Sequence, residues 1–477
     1  MGNGVQEVTS EQLEQIRRAL TLSESDVAEF EKRAAEILAG FAHFCPLHRQ
    51  AKASWSPERV PEVKLEVTGL LVKEAPDPRT FEIVEIEASF GDRAYNLDMG
   101  GCRLLDALAE ALALHPRLHG RTTTQAMRER VKNWCFVVLE TNVYTNAVGH
   151  VLDALLRDVD VHEAWVLLAD IDVEDSFPMG SVRICGIGSA QVNKWMSSLV
   201  TAGLSESTRP DIREHFERDW QGHTAAVYRS IADVDATKSA ALIHAERACS
   251  LLRMVEPGNV SATQRSYLQP ERLMSQMGVR SVLLDPERLD HFVDSETKLN
   301  PPCGIVVDKA SFKEKWERGY LRTLHELLSS APQTEFQHDL LGALMVYSRH
   351  RLTSDPIEKL IFVFSGMEAV LVEPDKRIPK RFTLRKRLCG MFAGDESVRR
   401  NIAKVVNDAY ELRSNYLHEG TAIRDRQIVE AFLGYAWRLF LRLIERHQHW
   451  RSVHELRLEL DSNFKARFGE PEPAKDP

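Results

Sequence analysis

None of the seven cysteines in this 477-residue chain stands in a Cys-x-x-Cys pair, which removes the spacing of a structural zinc site or a dithiol redox motif. Cys45, Cys102, Cys135, Cys185, Cys249, Cys303 and Cys389 are scattered and odd in number, so buried reduced thiols are expected rather than a disulfide framework. Cys45-Pro46-Leu47-His48 has one half of a metal-like spacing and no matching second pair. His43, His48, His115, His119 and the His447/His449 pair make no ligand set, and Asp170, Asp172, Glu174 and Asp175 read as a solvated strand end before a divalent-cation site. No metal and no cofactor is expected. Gly100-Gly101 precedes a helical stretch, but without a following Gly-x-x-x-x-Gly-Lys it forms no phosphate loop. No apolar run approaches a membrane span, the polar N-terminus has no signal-peptide pattern, and no internal repeat is visible. A cytoplasmic protein without a membrane partner is the expectation.

What is present suffices for a large core: 43% of residues are hydrophobic and 27% charged, which fits two or three domains. Residues 9–44 read as two short helices, with Thr9 and Ser23 as candidate caps and Phe30, Ala34, Ile37, Leu38 and Phe41 along one stripe. Residues 63–72 and 81–90 predict a strand pair, and helices follow over 103–114 and 124–141. A second α+β section has strands over 164–172, 182–189, 225–232, 279–284 and 304–307, with a long helix over 235–254. The expected division is a helical segment over 1–50, an α+β region over 51–160, and a second α+β region over 161–333 that can run on from the first. A helical bundle over 334–450 and a C-terminal extension over 451–477 complete it, the tail from 469 being disordered by composition.

Four helices are expected in the bundle. Asp355 is a good N-cap, Pro356 suits the first helical position, and Glu358 has the spacing of a capping box. Ile357, Leu360, Ile361, Phe364, Met367 and Leu371 then share one face, and Glu368 falls on that apolar stripe. A carboxylate there needs a cationic or hydrogen-bonding partner, because unpaired burial is costly. Either it closes a core ion pair or it holds Arg413 in position. The runs Val398, Ile402, Val405, Ala409, Leu412, Tyr416 and Ile428, Phe432, Tyr435, Leu439, Leu443 predict two long helices.

Between those helices lies Glu411-Leu412-Arg413-Ser414-Asn415-Tyr416-Leu417-His418-Glu419-Gly420. An always-charged guanidinium stabilises charge on a phosphoryl oxygen, and an imidazole moves protons near neutral pH. On an ideal helix Arg413 and His418 stand about 140° apart. They converge only if the helix ends or bends, or if a second chain completes the site. Gly420 is a candidate C′ residue that stops the helix. Helix ends also favour basic residues through the macrodipole, so the pair is open to a purely structural reading.

Charge is uneven. The chain carries a net −9, whereas residues 353–450 hold 17 Lys and Arg against 13 Asp and Glu. Lys376, Arg377, Lys380, Arg381, Arg385, Lys386 and Arg387 form a run with no acid between 376 and 387. Such a run is either a solvated face or a track for an RNA backbone. The acidic remainder argues that any RNA contact is local.

The ordered series over 334–450 resembles the Apea-like HEPN family: the Asp355-Pro356-Ile357-Glu358 opening, the helix with Glu368 before its last turn, the basic Thr383-Leu384-Arg385-Lys386-Arg387-Leu388 helix, and the Arg413 to His418 signature. Glu419, between His418 and Gly420, departs from the family's pattern, and its carboxylate can orient the imidazole or repel a phosphate. The resemblance implies an α+β N-terminal region followed by an all-α HEPN helical bundle. It further implies a metal-independent endoribonuclease of bacterial defence or toxin-like stress response, with RNA as partner and two copies paired through the bundle. The N-terminal region would sense a trigger or restrain the nuclease. On that reading His418 transfers protons and Arg413 stabilises the phosphorane, leaving 2′,3′-cyclic phosphate ends, with Glu368, Ser414, Asn415 and Glu419 in support. A non-catalytic HEPN module that binds a nucleotide, RNA or protein is the alternative.

Overall fold

The computed structural model describes residues 10–44, 70–77, 80, 82–90, 93–256, 258–270, 278–285, 288–298, 305–317, 320–329, 334–373, 379–420 and 425–469. Two compact units divide the chain, residues 1–164 with 229–240 and residues 165–228 with 241–477.

In the first unit α1 (Ser10–Ala19) and α2 (Glu24–Ala39) precede β1 (Phe41–Phe44), β2 (Leu70–Pro76), β3 (Ile83–Phe90) and β4 (Arg93–Leu97). Then come α3 (Met99–Leu114), α4 (Thr124–Thr141) and α5 (Ala147–Asp158). Ser23 caps α2 by accepting from the Asp26 amide, as its place in the sequence predicts. Thr9 lies outside the described residues. The sheet is ordered β1-β4-β3-β2 and is antiparallel throughout. The alternation of a strand turns Ile86, Ala88 and Phe90 into one core with Leu105, Leu108, Trp134 and Phe136 from α3 and α4. Glu74 of β2 accepts from the buried Arg128 and Lys132 of α4 at 3.0 and 2.8 Å, so neither cation is buried without a counter-charge. The expected strand pair is β2 and β3, with residues 63–69 and Phe81 outside the described residues, as are Cys45, His48 and Cys303.

The chain continues through β5 (Asp160–Leu168), β6 (Ile171–Val173), β7 (Phe177–Met179), β8 (Val182–Gly186), α6 (Ser189–Thr201), α7 (Arg209–Asp219), β9 (Thr224–Ala232) and α8 (Val234–Leu252). Next are β10 (Gly278–Asp285), β11 (Arg288–Lys298) and β12 (Ile305–Val307). A four-stranded sheet is ordered β5-β9-β8-β7, while β10 pairs with β11 and β12 runs parallel to β6. Trp195 of α6 packs edge-on against Trp165 and Trp220, which anchors the α6–α7 pair in a small core of its own.

The rest of the second unit is helical: α9 (Lys309–Glu317), α10 (Leu321–Ser329), α11 (Glu335–Ser348), a single 3₁₀ turn (Arg349–Leu352), α12 (Pro356–Leu371), α13 (Lys380–Phe392), α14 (Glu396–Glu419), α15 (Arg426–Glu445) and α16 (Val453–Phe468). The four helices expected over 334–450 are α12 to α15, and α11 adds a fifth. Their core is built around Tyr347, Phe364, Phe432 and Phe440, with the Phe364 and Phe432 rings stacked at 4.3 Å. The extension expected from 451 is corrected: Leu456, Leu460 and Phe464 of α16 lie in this same core, so the bundle runs through Phe468. Asp355 caps α12 by accepting from the Ile357 amide at 2.7 Å. The capping box is not closed, because the Asp355 amide donates to Thr353 Oγ1 at 3.0 Å while Glu358 is exposed.

The loop after α8 is held on the bundle by buried polar groups. Arg351 donates to the Gly258 and Gln264 carbonyls at 2.8 and 3.0 Å and pairs with Glu256 at 3.2 Å. Lys359 reaches the Gln264 carbonyl at 2.7 Å, and Trp437 Nε1 donates to the Met254 carbonyl at 3.0 Å. The bonds to carbonyls pair backbone acceptors of the loop, and Glu256 supplies a counter-charge for the buried Arg351. Among the described residues no helix is long and apolar enough to cross a membrane.

Candidate functional site

α14 is one unbroken helix of 24 residues, capped by the Asp395 side chain on the Val398 amide at 2.9 Å and stopped by Gly420. Gly420 takes φ 67°, the left-handed conformation that only glycine adopts without strain, and its amide donates to the Tyr416 carbonyl at 2.9 Å. The helix therefore ends where the sequence predicts, after His418 and not between Arg413 and His418. With no bend between them, the two side chains leave the axis about 140° apart and roughly 7.5 Å along it. One chain alone does not aim them at a common point.

Arg413 is drawn toward the bundle. Its Nη1 donates to Glu368 Oε1 at 3.1 Å, with 21% of the arginine side chain and 13% of the glutamate exposed. The guanidinium lies over the Phe364 ring at 5.4 Å, and its buried Nε has no hydrogen-bond partner among the described residues. Phe364 and Glu368 are four residues apart on α12, so one face of that helix supplies both the aromatic surface and the carboxylate. The partner that Glu368 needs by virtue of its place on the apolar stripe is thus Arg413, and a second is Lys380. Lys380 Nζ, the start of α13, meets Glu368 Oε2 at 2.7 Å. Ser414 is half-buried, whereas Asn415, His418 and Glu419 are exposed. Beside His418 two apolar side chains also face out, Tyr416 at 38% and Leu417 at 55% exposure.

The basic run divides. Lys376 and Arg377 lie outside the described residues. Lys380 and Arg381 open α13 and are both engaged by carboxylates, Arg381 by Glu411 at 3.5 Å. Arg385 covers the Phe382 ring at 5.1 Å, and Lys386 pairs with Asp461 at 3.0 Å. Arg387 corrects the expectation of a continuous solvent-facing track, since only 6% of its side chain is exposed. It donates to both Glu373 oxygens at 2.8 Å, to both Asp461 oxygens at 3.3 and 2.9 Å, and to the Leu371 carbonyl. That carbonyl belongs to the last turn of α12, where the helix leaves acceptors unpaired. Burial alone would raise the Glu373 and Asp461 carboxyls, but the hydrogen bonds from Arg387, joined at Asp461 by Lys386, hold both below their ordinary values.

Elsewhere, Asp170 of the acidic cluster accepts from the Tyr267 amide at 3.4 Å, and the described residues contain no group of three or more His, Cys, Asp or Glu placed to hold a metal ion. The five described cysteines, Cys102, Cys135, Cys185, Cys249 and Cys389, are buried. The roles of Phe364 and of Lys380 toward Glu368 escaped the sequence reading, although helical spacing does place Phe364 one turn before Glu368. No protein-family model, curated protein or solved structure matches this chain.

Proposed function

We propose that the helical part of this protein is a HEPN-type endoribonuclease that works in the cytoplasm without a metal, in bacterial defence or a toxin-like stress response, with the N-terminal α+β region as sensor or regulator. The observation that carries the reading is the end of α14, where an exposed His418 follows an Arg413 whose guanidinium is preset by Glu368 and Phe364. An RNA 2′-hydroxyl attacks the adjacent phosphorus, and the 5′-oxygen of the next nucleotide leaves. His418 transfers the protons and Arg413 neutralises charge on the phosphorane oxygens. Ser414 and Asn415 add hydrogen bonds from the same turns. The nucleophile is part of the substrate, so proton transfer and charge stabilisation complete the chemistry. Because Arg413 and His418 diverge on one helix, a symmetric second copy supplies the facing set, and the exposed Tyr416 and Leu417 offer apolar surface for that pairing.

A second reading, a non-catalytic HEPN module that binds RNA, a nucleotide or a protein, is favoured by one observation: Arg413 is already engaged by Glu368. Cleavage of single-stranded RNA in EDTA separates the two. The nuclease reading expects Arg413→Ala and His418→Ala to lower the rate by roughly 10²-fold or more. Equal cleavage by wild type and both variants would overturn it.

A further inference from the structure

Glu368 is a single carboxylate whose two oxygens are divided between two cations on different helices. Oε1 takes Arg413 Nη1 of α14 at 3.1 Å, and Oε2 takes Lys380 Nζ of α13 at 2.7 Å. Two anionic oxygens on one centre, bridging a guanidinium and an ammonium, reproduce what the non-bridging oxygens of a phosphodiester offer. One residue along, Arg381 makes a single, more exposed pair with Glu411 at 3.5 Å. Both cations that open α13 are thus covered by carboxylates, one from α12 and one from α14.

The Lys380 arm of the pair is open to exchange. Lys380 is 58% exposed, and ion pairs open to water are weak. Arg413 also lies over the face of Phe364 at 5.4 Å, a second contact that is independent of the carboxylate. A polynucleotide brings several phosphates and gains from counterion release, which an internal carboxylate does not.

We propose that Glu368 is an internal stand-in for an RNA phosphate, occupying the Arg413 and Lys380 cations until a phosphodiester displaces it. This rests on the ribonuclease reading above and adds its regulation: the carboxylate sets a threshold that a lone small anion does not cross and a strand does.

The test is binding of a single-stranded 2′-O-methyl oligonucleotide, which cannot be cleaved by its own 2′-hydroxyl, measured by fluorescence anisotropy across a range of salt on the full chain. Glu368→Gln keeps the shape and removes the charge. It should tighten binding about tenfold and steepen the salt dependence, and Arg413→Gln in the same chain should erase the gain. Were Glu368→Gln to unfold, Lys380→Gln carries the test: weaker binding with a flatter salt slope supports the exchange, and unchanged binding overturns it. Equal or weaker binding by folded Glu368→Gln, with wild type still cleaving unmodified RNA, overturns the stand-in and leaves the ribonuclease reading in place. Tighter binding without any cleavage keeps the stand-in and overturns the ribonuclease reading. No binding by any variant overturns the stand-in, and the ribonuclease reading falls with it when unmodified RNA is also left uncut.

Discussion

Gly390 on α13 faces the backbone carbonyl of Leu460 on α16 so closely that any side chain at 390 would strike it. The obstacle is main chain, not a flexible side chain that can swing away. Gly390→Ala is therefore expected to push α13 and α16 apart and lower stability by about 1–3 kcal/mol, the usual cost of overpacking. Urea unfolding measures it. A midpoint equal to wild type would mean that the two helices separate without loss.

Arg387 should behave as a structural residue. Arg387→Met strands Glu373 and the Leu371 carbonyl and leaves Asp461 with Lys386 alone, and a loss of about 2 kcal/mol or more is expected. The folded variant should bind the 2′-O-methyl oligonucleotide as wild type does. Weakened RNA binding at unchanged stability would return Arg387 to the basic track.

Lys359 makes stability depend on pH. Burial first, and then the nearby Arg351 charge, pull its ammonium down from 10.5 to about 7, with Glu256 opposing. Between about 7 and 10.5 the unfolded chain holds a proton that the folded one has released, so the free energy of unfolding rises with pH across that window. Below it, the cost of burying the charged lysine is felt in full. Lys359→Met keeps the aliphatic stem, and denaturation at pH 6.5 and 9 should show a wild-type increase, on the order of a few kcal/mol, that the variant largely lacks. Parallel pH profiles for the two proteins would contradict this.

Shared active sites predict complementation. An Arg413→Ala chain mixed with a His418→Ala chain should regain cleavage that neither shows alone, because one pairing reunites an intact Arg413 with an intact His418. A monomer by light scattering at micromolar concentration with full ribonuclease activity would rule the requirement out.

Local rules made much of this fold readable. The Asp355-Pro356 start of α12, the Ser23 cap and the Gly420 stop depend on a few adjacent residues, and each appears where those residues place it. So does the need of Glu368 for a cation, which follows from its face of the helix. What stayed hidden depends on partners far along the chain. Arg387 sits in a basic run that reads as a wet surface, and Asp461, 74 residues on, joins Glu373 and the Leu371 carbonyl in taking it inside. The extent of the bundle was missed for the same reason, since Leu456, Leu460 and Phe464 find their core against helices whose positions no local pattern reveals. α7 buries no residue fully, so periodicity had little to report there.

Residues 229–240 complete the first unit, although residues 165–228, made before them, belong to the second. During synthesis the chain leaves one body, begins another, and returns. Ile231 joins the first unit's core, and the buried Asp233 pairs with Arg130 at 3.0 Å, so that core stays open until the ribosome has passed them. The two units consequently mature in overlap, and a cut at residue 164 yields a first unit without residues 229–240.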